Sequence, residues 1–293
     1  MREILIADDE TPKMIENYLK KQFPIGYIRK LFRKNGLRIN GRRAKPNDPI
    51  RPGDRIQIYV PFEQNAAPAG LAHIISNLDI IFEDDSLIVI NKPPDIAVHE
   101  GKTVSKRESL LGILENRYRD RGIRPQLVHR LDKDTSGLLL VAKNPQTARE
   151  LETNFEIGAT GKEYLALIVG RLPQNEGRID FPLPGRGGSP VRALTRYRVV
   201  KRYSEVTLAR VSIETGRLHQ IRLHFAELGH PIVMDDQHGD FGFNKRFRKE
   251  YGLKRQFLHA EKLKMNYAGK LCDWTAPLPA DLEETLRKLS VKT

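Results

Sequence analysis

Apolar positions along this 293-residue chain change their period several times, and each change marks an element. Near the N-terminus, Met14-Ile15, Tyr18-Leu19 and Phe23 recur at helical spacing, and Pro24 and Gly26 close the segment. Ile28, Leu31 and Phe32 continue an apolar stripe on a second helix, whose other face carries Arg29, Lys30, Arg33 and Lys34. Leu37 to Arg42 contains Asn40-Gly41, a strong tight-turn signal. Pro52-Gly53-Asp54 is another turn and leads into the alternating strand Arg55 to Val60. Residues 1–60 therefore read as a unit of their own, two short helices with a small twisted sheet. Over residues 61–78 the periodicity disappears, and Glu63 to Gly70 has the composition of a linker.

From about Asp79 the apolar runs become short and β-like. Ser86 to Ile90 leads into Asn91-Lys92-Pro93; Gly137 to Ala142 and Glu163 to Gly170 are similar. Arg192 to Tyr203 and Glu205 to Ile213 read as a long antiparallel pair with partly solvent-facing alternation. Helices are predicted over Gln146–Phe155, Arg217–Leu228 and Asp281–Leu289. Strands and helices do not alternate regularly, so residues 79–293 are expected to form a mixed, largely antiparallel sheet with flanking helices, an α+β domain. In the Arg217 helix, Leu218, Ile221, Phe225 and Leu228 make the expected buried stripe, and Gly229 and Pro231 supply the stop. Arg222 lies four residues after Leu218, on the edge of that stripe. A guanidinium turned inward there is costly without a carboxylate partner.

Composition narrows the class of partner. Fifty Lys and Arg against 37 Asp and Glu leave a formal charge of +13. Such an excess favours a polyanion, nucleic acid before membrane, through phosphate neutralisation. The charge is also concentrated: Lys20, Lys21, Arg29, Lys30, Arg33, Lys34, Arg38, Arg42, Arg43 and Lys45 fall in a stretch without one acid. Helix–turn–helix DNA binding is the structural rival for this unit, and its closing strands argue against it. No apolar run approaches the roughly 20 residues of a membrane span. The single cysteine, Cys272, excludes an internal disulfide and a Cys-rich zinc site. The first residues suit neither a signal nor a transit peptide, so a cytoplasmic protein is expected.

Three stretches carry candidate chemistry. His129-Arg130-Leu131-Asp132-Lys133-Asp134-Thr135-Ser136-Gly137 sets an acid beside an arginine in a turn that enters a strand; Lys162-Glu163-Tyr164 precedes another; and Gly216-Arg217-Leu218-His219-Gln220-Ile221-Arg222 opens the third helix. In this order they resemble the signature segments of the RluA-type pseudouridine synthases, which isomerise uridine in structured RNA. Ile81 to Pro93, Gly229-His230-Pro231-Ile232 and Phe257-Leu258-His259-Ala260 extend the likeness over roughly residues 79–280. Residues 1–60 resemble the αL RNA-binding domain of a small-subunit ribosomal protein and some tRNA synthetases. The domain order and the Asp235 to Asp240 segment look closest to the RluC-like enzymes of large-subunit ribosomal RNA. Two positions depart from the pattern: Pro94-Asp95 stands where Ala-Gly is common, and Leu218 where threonine is usual.

The resemblance implies the pseudouridine synthase fold and assigns roles. Asp132 is the expected nucleophile. It either traps the positive charge developing on the sugar, as in glycoside hydrolysis, or adds to the uracil ring. Arg222 is expected to pair with it, Tyr164 to stack on the target base, and Arg130 to fill the gap left by a flipped base. Asp134 is expected to brace the turn, and His129 to be a support with no catalytic role. No metal, redox cofactor or nucleotide is required, and a monomer acting on large-subunit ribosomal RNA is expected. Asp235, Asp236, His238 and Asp240 have ligand chemistry, but the resemblance implies no metal. The competing class is a non-catalytic RNA-binding or ribosome-assembly protein, which has no need of a buried acid–arginine pair.

Overall fold

The computed structural model describes residues 2–7, 11–20, 22–23, 25–59, 78–101 and 104–291. The expected linker lies outside them apart from Leu78, as do Lys21, Pro24 and Val60. Two compact units divide the described chain: residues up to Tyr59 together with Gly101 and Val104-Ser105, and the remainder from Leu78 onward.

The first unit contains β1 (Arg2–Leu5), β2 (Lys13–Met14), α1 (Ile15–Leu19), α2 (Ile25–Arg33), β3 (Leu37–Ile39), β4 (Arg42–Arg43), β5 (Pro49–Ile50) and β6 (Arg55–Ile58). Its sheet runs β1-β6-β3-β4, antiparallel throughout, and β2 pairs with β5. Asn40 and Gly41 both take left-handed backbone, φ 50° and 79°, which gives the tight turn between β3 and β4. Ile15, Leu19, Ile28, Leu31, Leu37 and Ile56 form the core. Met14, expected in the helical stripe, is instead exposed, because it pairs with Pro49 before α1 begins.

The second unit is built on β7 (Ile80–Glu83), β8 (Leu87–Lys92), α3 (Leu110–Arg117), β9 (Gln126–Leu127), β10 (Ser136–Ala142), α4 (Pro145–Glu156) and β11 (Gly161–Val169). It continues through β12 (Glu176–Ile179), β13 (Leu183–Pro184), β14 (Pro190–Val191), β15 (Thr195–Arg202), β16 (Val206–Ile213) and α5 (Gln220–Glu227). It ends with α6 (Phe241–Tyr251), β17 (Leu258–Tyr267), β18 (Lys270–Thr275) and α7 (Ala280–Val291). The main sheet has the order β12-β15-β16-β11-β17-β10-β8-β7, with β18 on β17 and β9 on β10. Only β10 and β17 run parallel among its described pairs. This is the expected α+β arrangement, a mixed sheet with flanking helices.

Every residue of β10 is buried, which explains its unbroken apolar run. Gly137 in that strand has φ 111°, and a Cβ there would overlap the backbone of Ala260 on β17. The residue ending the signature loop is thus glycine because two parallel strands close tightly over it. Leu87, Leu138, Leu140 and Leu151 form a core beneath α4, and Leu167, Phe247, Phe257 and Leu282 form another beneath α6 and α7.

Helix α5 departs from expectation. It starts at Gln220, not Arg217, and Leu218 and Leu228 are 55% and 44% exposed. Its buried face is Gln220, Ile221, Arg222, His224 and Phe225. The delay has a local cause: the Gln220 carboxamide oxygen accepts from Arg217 N–H and the Thr215 hydroxyl, which closes a turn ahead of the helix.

Candidate active site

The loop preceding β10 is held from beneath at successive residues. The Lys92 ammonium, fully buried at the end of β8, donates to the carbonyls of Pro93, Ile96 and Lys133 at 2.7, 3.1 and 3.0 Å. Arg255 donates to the Asp134 carbonyl at 3.0 Å and clasps Asp281 through two hydrogen bonds. Gln256 donates to the Thr135 hydroxyl at 2.7 Å, and Ser136 Oγ meets His259 Nδ1 at 3.0 Å. Burial pulls Lys92 down to about 7, against the pull of the Asp134 charge. The half-buried Asp134 is pushed up, first by desolvation and then by the neighbouring Asp95 charge.

Pinned this way, the loop presents Asp132 to a pocket. That pocket is lined by Arg130, Leu131, Asp132, Thr135, Tyr164, Ile213, Leu258 and the stretch from Gly216 to Arg222. Residues from four separate stretches of sequence therefore meet here, among them Asp132, Arg130, Tyr164 and Arg222. Asp132 Oδ2 accepts from Arg222 Nη1 at 2.8 Å, the expected ion pair. Tyr164, on β11, is buried along the pocket wall; desolvation pushes its phenol up, and the Asp132 charge adds to the shift. Arg130 is exposed at the rim.

Arg222 has a second partner that the sequence did not reveal. Its Nε and Nη2 donate to both oxygens of Asp235 at 2.6 and 2.8 Å, and both side chains are buried. Asp235 also accepts from the backbone N–H groups of Gln237 and His238, each at 2.9 Å. Burial raises the Asp235 carboxyl, but these donors outweigh it and hold the group below the ordinary carboxylate range. A planar guanidinium thus bridges the pocket-facing Asp132 carboxylate to the buried Asp235 carboxylate. A buried arginine with five donors called for more than one acceptor, which is the signal that could have pointed to Asp235.

His219 and His238 were also missed. His219 has φ 52°, in the left-handed region at the start of α5, with Nε2 at 3.7 Å from Asp132 Oδ1 and Nδ1 at 3.0 Å from His238 Nε2. Burial pulls its imidazole down, partly offset by Asp132. Asp236 Oδ1 lies 3.8 Å from Arg222, and Asp240 caps α6 by accepting from Phe243 N–H at 2.9 Å. His129 does act as a support: its Nε2 accepts from Leu140 N–H at 3.0 Å and its ring stacks on Phe155 at 4.7 Å.

In the first unit, the side chains of Lys20, Arg29, Arg33, Lys34, Arg38, Arg42, Arg43 and Lys45 are exposed. Lys30 lies on α2, and Lys21 is outside the described residues. Lys20 pairs with Glu16 at 2.9 Å, and the Arg38 guanidinium lies over the Tyr59 ring at 5.0 Å.

Known proteins are similar to this chain in sequence and in fold. A model of the RNA pseudouridylate synthase family matches residues 86–227. The chain is 35% identical to ribosomal large subunit pseudouridine synthase C of Salmonella typhi, over 99% of this chain and 97% of that protein. It is equally, 35%, identical to the protein of that name from Escherichia coli K12, over 98% and 96% of the two chains. Among solved structures, human RNA pseudouridylate synthase domain containing 1 superposes with a TM-score of 0.57 at 26% identity, over 70% of this chain and 85% of that one. Human RNA pseudouridylate synthase domain containing 4 reaches a TM-score of 0.64 over 75% of this chain and 96% of that one; at 24% identity this bears on the fold alone.

Proposed function

The chain belongs to the RNA pseudouridylate synthase family, and we propose that it isomerises specific uridines of large-subunit ribosomal RNA to pseudouridine with Asp132 as the nucleophile. The convergence of Asp132, Tyr164, Arg222 and Arg130 on one pocket carries this reading. The named relatives, ribosomal large subunit pseudouridine synthases, supply the substrate class.

The reaction conserves atoms. The bond between ribose C1′ and base N1 breaks, a C1′–C5 bond forms, the proton on C5 leaves, and N1 regains one. No redox partner is needed for that balance. Arg222 occupies Asp132 Oδ2, so Oδ1, with His219 Nε2 at 3.7 Å, is the oxygen available to substrate. A carboxylate fixed beside the glycosidic bond in a partly closed pocket can stabilise the developing cation or add to the ring. The buried Tyr164 ring offers a face for the flipped base, and the exposed Arg130 can enter the stack the base has left. The basic surface of the first unit supplies sequence-independent grip on phosphate. The same reading has the protein act as a monomer in the cytoplasm. No helix among the described residues is long and apolar enough to cross a membrane.

Mapping pseudouridine across ribosomal and transfer RNA from cells with the gene intact, deleted, or carrying Asp132→Asn tests the proposal. The same large-subunit uridines should lose modification in both altered strains. Unchanged maps, with no product from purified protein on ribosomal RNA, would overturn it.

A further inference from the structure

Resting on that reading of the substrate, we infer that α6 carries a second RNA-contacting stripe, on the catalytic unit itself, that grips the strand flanking the target uridine. The buried side of α6 is accounted for by Phe243, Asn244 and Phe247, of which the two phenylalanines join the core with Leu282 and Leu289. The opposite side is not. Phe241, the first residue of the helix, is 66% exposed. Lys245, Arg248 and Lys249 follow at spacings that place them down the same side, all exposed, with no ion pair among the described residues.

Their neighbours differ. Arg246 is tied to Glu205 at 2.7 Å and lies over the Phe243 ring. Of the acids in the preceding turn, Asp235 is held by Arg222 and Asp240 by the Phe243 N–H, and the exposed Asp236 approaches Arg222 at 3.8 Å and none of these cations. Attraction of cations to the end of a helix accounts for Arg248 and Lys249, which lie in its last turn. It does not account for Lys245 or for the exposed ring. An aromatic face followed by a line of unpaired cations fits a single strand of RNA, one base stacked on the ring and its phosphates along the cations.

The stripe is also held in register with the pocket. Asn244 donates to the Asp235 carbonyl and accepts from Met234 N–H, each at 2.8 Å. The turn that fixes Arg222 is therefore the turn from which α6 starts, and RNA held on the helix is held relative to Asp132.

The test compares full-length wild type with Lys245→Gln/Arg248→Gln/Lys249→Gln, with Phe241→Ser, and with Arg246→Gln as control. The probe is a large-subunit ribosomal RNA fragment that wild type modifies. Affinity is read at several salt concentrations, and single-turnover rate at saturating RNA. The triple variant should bind about tenfold or more weakly near 0.1 M salt and lose about two to three from the log–log salt slope. Its saturated rate should stay within about twofold of wild type. Phe241→Ser should weaken binding without changing the slope, and the control should match wild type. Wild-type affinity and slope in the triple variant would overturn the inference. If the triple variant is unfolded, the single exchanges decide: Lys245→Glu must bind more weakly than Lys245→Gln, and equality overturns the stripe. A wild type that makes no pseudouridine would overturn the functional reading instead, and would do so whatever the α6 variants bind.

Discussion

Arg222 and Asp235 meet at 2.6 Å between Nε and Oδ2, with side-chain exposures of only 4% and 1%. The pocket-side carboxylate, Asp132, is more open at 17% and takes the other edge of the same guanidinium. The two acids therefore do different work. Asp235 makes it possible to keep an arginine inside the protein, and Asp132 uses the arginine so kept.

Removing the charge from Asp235 should cost stability, whereas the same change at Asp132 should cost chemistry. Breaking a buried ion pair from one side typically costs about 3–5 kcal/mol, because the remaining charge is left poorly compensated. Asp235→Asn keeps one acceptor, so about 3 kcal/mol is expected. Urea unfolding followed by circular dichroism should show a lower midpoint at unchanged slope. Asp132→Asn should unfold close to wild type yet form no product. Equal midpoints for wild type and Asp235→Asn would remove the structural role given to that residue.

Stability should also fall on the acidic side of neutrality, through His129. Its Nε2 is occupied by Leu140 N–H; burial, with a smaller push from the Lys162 charge, pulls the imidazole down to about 3. An unfolded histidine takes up its proton near pH 6.5. Between about pH 6.5 and pH 3 the unfolded chain thus binds a proton that the folded chain refuses. The contribution is complete above pH 6.5 and is lost progressively as pH drops through that window. At most it adds about 1.4 kcal/mol per pH unit to the slope. His224 and His259 are pulled down by burial as well and steepen the same limb. His129→Gln should flatten the dependence of unfolding free energy on pH by one proton's share. An unchanged slope would mean that His129 takes up its proton in the folded state.

Much of this site was legible in sequence because its parts obey local rules. The Asn40-Gly41 turn and the paired strands around Tyr203 are each set by local backbone preferences that neighbouring residues reveal, whereas the glycine closing the signature loop is fixed by Ala260 on β17. Asp132, Tyr164 and Arg222 stood inside ordered segments resembling one family. What stayed hidden depends on contacts between distant segments. Lys92 reads as the end of a strand, and only the fold brings the Lys133 carbonyl to it. Asp235 reads as one acid in a polar loop until Arg222 is placed beside it. The α5 stripe misled for a related reason: Leu218 and Leu228 have the right spacing, but the Gln220 turn leaves Leu218 ahead of the helix, and Leu228 is its C-cap, past the last turn. Helix α6 went unread because its apolar positions are few among many charges.

The first unit supplies the final prediction. Arg33, Lys34, Arg42 and Arg43 are exposed on one small fold whose core is complete without them. Neutral replacements there should leave folding intact, since exposed charges contribute little to stability. If they meet phosphate, each lost contact should lower the log–log salt slope of RNA binding by about one. The quadruple Gln variant should therefore need far more RNA for half-saturation at 0.1–0.2 M salt, roughly the physiological range. Its rate at saturating RNA should match wild type, because none of the four lines the pocket around Asp132. A fall in saturated rate at unchanged affinity would contradict this division of labour and would give the first unit a part in positioning the uridine.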